Sequence, residues 1–324
     1  MSATAGARAP VAISPDMAQL FYRLATAGLL CVALSLASDV FLTVPNILNV
    51  LRQTSLLFFM ASGLTLVILT GGLDLSIGNN VALSACLAGT AIKATGSPLL
   101  GAAIGLGVGA LVGLGNGLMV ALLRIPSFIA TYGMLWVLQG LAYSYMAGEA
   151  VYGFPRGFRM LGNGVFLGIP IPVYAMLVFL LLGAGFAQRT VWGQQIYAIG
   201  ANPVAARLSG VPVRKRLILV YTVSGAMAGL ASLIFLARLN SAQADIGDGL
   251  TLPAIAAALI GGASLFGGVG TLFGSFVGAL ILTLLLNGMN LLQVDAKWQP
   301  LVTGVIVILA VWLDMQARRR QQRV

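Results

Sequence analysis

The chain has 324 residues, of which 59% are hydrophobic and only 8% charged, with a formal net charge of +10. Soluble domains carry roughly 25% charged residues, so this is the composition of an all-α polytopic membrane protein and not of a soluble domain. The positive charge is not a nucleic-acid signal, because the basic residues gather in a few inter-span loops and at the tail, where they set membrane orientation. There is no histidine, which removes the commonest metal ligand and general base. No metal site or cofactor is expected.

Residues 1–19 read as a cytoplasmic N-terminal extension. The first apolar run, 20–38, is too long for a signal-peptide core and reads as an uncleaved span. Pro45 and Asn46 then open a short amphipathic segment, Ile47 to Leu51, expected to lie at the interface. At ~20 apolar residues per spanning helix, further spans fall near 54–70, 79–96, 99–123, 127–147, 172–187, 217–237, 252–267, 273–292 and 299–315, about ten in all, with the eighth interrupted. These make one transmembrane domain over 20–315, followed by a basic tail at 316–324. Cys31 and Cys86 both fall inside spans and read as packing residues.

With both termini cytoplasmic, the outer segments hold Arg52, Lys93, Arg156, Arg159, Arg238 and Lys297, and the other twelve of the 18 basic residues lie inside. That bias supports this orientation in a plasma membrane. The largest outer loop is then 148–172. Glycines recur every four residues at Gly101, Gly105, Gly109 and Gly113, joined by Gly117, and again at Gly270, Gly274 and Gly278. Such stripes let helices approach closely.

The longest polar interruption of the second half, 188–216, holds a complete set of helix signals. Asn202 is an N-cap, Pro203 sits at the first helical position and Gly210 falls where a left-handed stop belongs. A helix of about two turns is unstable alone in water, so this one is a docking element. Arg214, Lys215 and Arg216 read as the anchor of the next span.

Two Gly-rich stretches echo each other, T-G-G-L-D-L-S-I-G at 70–78 and I-G-G-A-S-L-F-G-G at 260–268. Membrane transporters often carry internal repeats with broken helices at corresponding positions. Asp74 is the one acid at a motif centre. It either caps a helix, pairs with a loop arginine, or serves a gate or pathway. The spans hold almost no other acids, which weighs against a stand-alone ion-coupled carrier. The polar residues Asn116, Gln139, Asn287 and Asn290 are candidates for a substrate path, and interhelical hydrogen bonding accounts for them equally well. Aromatics such as Tyr132, Trp136 and Tyr143 read first as anchors or core, although rings also stack on sugars. No G-x-x-x-x-G-K-[ST] occurs, so nucleotide hydrolysis is not expected in this chain.

Residues 70–78 resemble the G-G-x-D-L-S-x-G signature of ribose-type ABC transporter permeases, within the branched-chain amino acid/ribose permease superfamily. A-I-G-A-N-P-V-A-A-R-L-S-G-V at 198–211 resembles the family's cytoplasmic coupling segment, and G-G-A-S-L-F-G-G-V-G-T-L-F-G at 261–274 its other Gly-rich motif. The resemblance implies a dimeric pore, with a second copy of the permease, that takes a monosaccharide or polyol from a periplasmic sugar-binding protein. A separate cytoplasmic ABC ATPase would power it. It assigns ATPase coupling to Asn202, Pro203, Ala205, Ala206, Arg207, Ser209 and Gly210. It marks Gly71, Gly72, Asp74, Ser76, Gly78, Gly261, Gly262 and Ser264 as motif residues, candidates for gate or pathway. Branched-chain amino acids as substrate, or a stand-alone secondary carrier, are the alternatives.

Overall fold

The computed structural model describes the backbone of residues 15–321 and the side chains of residues 21–316. Most of the extension expected at 1–19 and the end of the tail expected at 316–324 lie outside the described residues. The inner part of each is helical instead, because α1 (Pro15–Ala37) begins early and α13 (Trp298–Gln321) runs on late.

Between these two helices lie α2 (Val44–Leu69), α3 (Ile77–Thr95), α4 (Pro98–Ala121) and α5 (Ser127–Met146). A long connection follows, with β1 (Val151–Tyr152), α6 (Arg156–Asn163), β2 (Val165–Phe166) and β3 (Ile169–Pro170). The second half holds α7 (Ile171–Arg189), α8 (Val191–Ala201), α9 (Pro203–Leu208), α10 (Val213–Leu239), β4 (Ser241–Ala242), a 3-10 turn at Ala244–Gly247, α11 (Thr251–Ile260) and α12 (Leu272–Leu291). The strands only pin loops: β1 pairs with β4, and β2 with β3.

Among the described residues six helices are long and apolar enough to cross a membrane: α2, α4, α7, α10, α12 and α13. This is a polytopic, all-α membrane fold. The helices α3 and α5 are of spanning length but carry more polar and aromatic residues.

Three expectations are corrected. The segment Pro45 to Leu51 is not a separate interfacial piece, because α2 runs unbroken from Val44. Pro45 sits in the first turn, where a missing N–H costs nothing, and no breaker follows it. The interrupted eighth span is a ten-residue helix, α11, followed by an unwound stretch at 261–271. Gly270 belongs to that stretch and not to a helical stripe. The 188–216 loop contains a second helix, α8, as well as the short one.

The core is built around α2, whose Phe58, Phe59, Leu64 and Leu69 are fully buried, with α7, α10, α11 and α12 around it. The tightest crossing is between α4 and α10. There a Cβ on Gly109 would stand 2.5 Å from the Gly225 carbonyl oxygen, so the glycine stripe is a surface of backbone contact.

Candidate functional site

Two helices are broken inside this bundle, and each break carries one of the Gly-rich motifs. The first joins α2 to α3 through residues 70–76, where Thr70, Gly71 and Gly72 close off the last turn of α2 and Leu73 to Leu75 run on unwound. Unwound backbone at membrane depth must find its partners in protein. Ser127 Oγ accepts from the Leu73 N–H (3.2 Å) and Thr131 Oγ1 from the Leu75 N–H (3.1 Å), both from α5. The Thr251 hydroxyl of α11 donates to the Leu75 carbonyl and accepts from the Gly78 N–H. The Tyr221 hydroxyl of α10 reaches the Leu73 carbonyl at 3.4 Å.

Asp74 lies at the centre of this break and is 1% exposed. Among the described residues no arginine pairs with it; the carboxyl group is held by neutral donors. Oδ1 accepts from the Ser76 N–H (3.0 Å), from Ser76 Oγ (2.7 Å) and, longer, from Asn116 Nδ2 (3.5 Å). Oδ2 accepts from Ser224 Oγ (3.3 Å) on α10. Asn116 also donates to Ser76 Oγ at 2.8 Å. The Ser76 bond is the local turn by which an aspartate starts a helix, and the carboxyl group lies at the N-terminus of α3.

The second break, 261–271, is held differently. Ser264 closes a turn through its N–H to the Val269 carbonyl, and its hydroxyl donates to Asp314 Oδ2 of α13 at 2.7 Å. Gly261 abuts Gly274 of α12, and Gly262, with φ +85°, lies beside the Arg23 guanidinium. The two breaks then touch: the Gly268 N–H donates to the Leu69 carbonyl at the end of α2 (3.0 Å).

Gly200, in the last turn of α8, seats on that crossing. A Cβ there would run into both the Leu69 carbonyl and the Gly268 nitrogen. On the same helix the Tyr197 hydroxyl donates to the Gly270 carbonyl (2.8 Å). The guanidinium of Arg216 lies 4.4 Å over the Trp192 ring and donates to Gln195, so the basic run also ties α10 to α8. Directly beyond Gly200 comes α9. Asn202 Oδ1 accepts from the Val204 and Ala205 N–H groups at 3.0 Å, and Gly210 follows with φ +81°, as the cap signals require. Within α9 only Ala206 is buried; Val204 is 67% and Leu208 84% exposed, with Arg207 beside them. All three motifs therefore meet at one junction.

The four path candidates do not come together. Asn116 belongs to the Asp74 cluster. Asn287 forms a reciprocal amide pair with Asn46 of α2 (2.8 and 3.2 Å), which is helix-to-helix fastening. Asn290 accepts from Gln299, and Gln139 donates to Asp248. Sequence reading missed Gly200, Tyr197, Ser224, Thr131 and Thr251. Their types are common in membrane helices, and only the contacts single them out.

The motif order has its counterpart in known proteins. A family profile described as branched-chain amino acid transport system / permease component matches residues 46–311. The chain belongs to this permease family. It is 42% identical to the ribose import permease protein of Escherichia coli strain K12 over 284 residues, covering 86% of this chain and 88% of that one. It is 39% identical to the ribose import permease protein of Bacillus subtilis strain 168 over 288 residues, covering 88% and 89%. With the L-arabinose ABC transporter permease protein of Azospirillum brasilense it shares 37% over 290 residues, covering 90% and 85%. No solved structure matches.

Proposed function

We propose that the chain is the membrane permease of an ABC importer for a monosaccharide, ribose-like or a related polyol. It spans the bacterial inner membrane about ten times, the shorter and more polar helices included, with both termini cytoplasmic. It pairs with a second copy of itself, sits among membrane lipids, receives its sugar from a periplasmic binding protein and is driven by a cytoplasmic ABC ATPase. The similarity to permeases named for ribose and L-arabinose supports the sugar class.

One observation carries the coupling. α9 is too short to stand alone, is capped at both ends, and offers exposed Val204 and Leu208 one turn apart. Such a helix supports a docking role. Its base, Gly200, rests where both broken helices meet. ATP-driven closure of the partner would push α9, tilt α8 and shift the two breaks together, which supports alternating access. The chain contributes no phosphate-binding loop of its own.

The test is reconstitution with the co-encoded ATPase and binding protein. Uptake of D-ribose or L-arabinose should require ATP and all components, and Ala205→Cys should crosslink to the ATPase. Ion-driven uptake by the chain alone would overturn the proposal. So would an active complex in which no position of α9 crosslinks to the ATPase. The family profile's own description favours branched-chain amino acids as the second reading. A binding assay on the partner binding protein decides between the two.

A further inference from the structure

One face of α5 is lined by aromatic and polar side chains. Phe128, Tyr132, Trp136, Gln139 and Tyr143 fall at spacings of four, four, three and four, so they share one side of the helix, within a sector of about 80° at 100° per residue. The rings form a ladder. Phe128 and Tyr132 stack at 5.9 Å with an interplanar angle of 1°, and Trp136 meets Tyr132 edge-on at 6.2 Å. At the far end Asp248, in the link to α11, accepts from Gln139 Nε2 (3.3 Å) and from the Tyr143 hydroxyl (3.4 Å).

Two plainer accounts fail on position. An interfacial anchor sits at a span end, at headgroup level. This ladder covers about 22 Å at 1.5 Å per residue, and Trp136, 56% exposed, lies at the middle of Ser127–Met146. A lipid-facing strip would be aliphatic, and a glutamine and a carboxylate facing hydrocarbon would each be costly. Exposed Val137 and Leu141 make an aliphatic strip on the other side of the same helix, and Ile129 borders the aromatic face. The face is also not core, since Thr131, Leu138 and Ala142 turn a different side inward.

We infer that the Tyr132–Trp136–Gln139–Tyr143 face of α5, with Asp248 at its end, lines a water-filled translocation path and recognises polyhydroxylated neutral solutes. The chemistry fits that class. Flat ring faces take up the apolar C–H faces of a sugar, as they take up other flat or weakly polar surfaces. A carboxylate flanked by an amide and a phenol offers both acceptors and donors to vicinal hydroxyls. The Asp248 end carries the hydrogen bonding and the ring ladder carries sliding contact, so the solute is held and released in steps. The solute class rests on the function proposed above; the water access does not.

The experiment uses the full complex in membrane vesicles, in a Cys31→Ser, Cys86→Ala background that retains uptake. Single cysteines replace Trp136 or Gln139 on the face, and Val137 or Leu141 on the opposite side. A charged methanethiosulfonate reagent reacts with the thiolate, which forms in water and not in hydrocarbon. Trp136→Cys and Gln139→Cys should react roughly tenfold or more faster than Val137→Cys and Leu141→Cys. Modification at position 136 should block D-ribose uptake, and modification at 137 should leave it. Gln139→Asn should keep part of the uptake that Gln139→Leu loses. Equal labelling of the two sides overturns the path, whether or not the complex carries sugar. Fast labelling at 136 with undiminished uptake overturns the recognition. Fast labelling at 136, where the complex with Trp136 in place takes up no sugar at all, keeps the path and rejects the solute class.

Discussion

The two broken helices perform the same topological task with opposite means. Residues 70–76 are fastened by side chains from four elements, Ser127 and Thr131 of α5, Asn116 of α4, Tyr221 and Ser224 of α10, and Thr251 of α11. Residues 261–271 are fastened by their own turn, by close glycine contacts and by α8, with Asp314 and Tyr197 among their side-chain ties and Arg23 beside Gly262. A break whose every exit is tied to a different helix is a fixed joint. A break made of glycines and resting on a short lever is a movable one. We propose from this contrast that motion belongs to the end of the bundle where α8 and α9 sit, and rigidity to the surroundings of Asp74.

The largest effect should come from loading the movable joint. In Gly200→Val the added atoms meet the Leu69 carbonyl and the Gly268 nitrogen, both backbone, and neither can swing away. Overpacking of that kind costs about 1–3 kcal/mol, and it is relieved by lifting α8 off the crossing. Uptake should fall by more than roughly tenfold, while ATP hydrolysis by the assembled complex persists, since α9 itself is intact. Measuring both on the same proteoliposomes separates the two. Normal uptake in Gly200→Val would mean that the junction transmits nothing.

What could be read from sequence follows from the range of the interactions. The Asn202 cap, the Pro203 start and the Gly210 stop are local, each decided within four residues, and the structure carries all three. Of the ten expected spans, six were legible as long apolar helices, because apolar length is also a local property. The coming together of Leu69, Gly200 and Gly268 was not, because it depends on three segments far apart in the chain. Asp74 was visible as an unusual acid, but its neutral partners Ser224 and Asn116 lie 150 and 42 residues away. The pairing of Asn287 with Asn46 was hidden in the same way, 241 residues apart. α8 was missed because its eleven residues carry two glycines and too short an apolar run to read as a span.

The fixed joint makes an intermediate prediction. Asp74→Leu leaves the Ser76, Asn116 and Ser224 donors without their acceptor, and a buried unsatisfied polar group costs about 1–3 kcal/mol. The purified permease should unfold at clearly lower temperature and lose uptake in proportion. Asp74→Asn keeps one oxygen for Ser76 and Asn116, and its amide can donate to Ser224, whose hydroxyl turns to accept. Thermal stability should then stay near that of the parent. If Asp74→Asn is stable and also transports, the residue is a latch. If it is stable and transport is lost, the charge itself takes part, and the division into fixed and movable joints gives way.

The smallest effect tests the lever without touching either joint. Asn202→Ala removes the acceptor for the Val204 and Ala205 N–H groups, a loss of about 1 kcal/mol for a helix cap. In a six-residue helix that is enough to fray the first turn and move Val204 and Leu208 out of register. Uptake should drop a few-fold at matched expression. Lys215→Gln changes a charge in the first turn of α10, where Arg214 and Arg216 remain, and should leave uptake within experimental spread. Equal losses in the two variants would mean that α9 acts through its basic surroundings and not through its own folded shape. The lever would then be the whole loop, held to α10 by Arg216 over Trp192, and Arg216→Gln would become the variant with the larger defect.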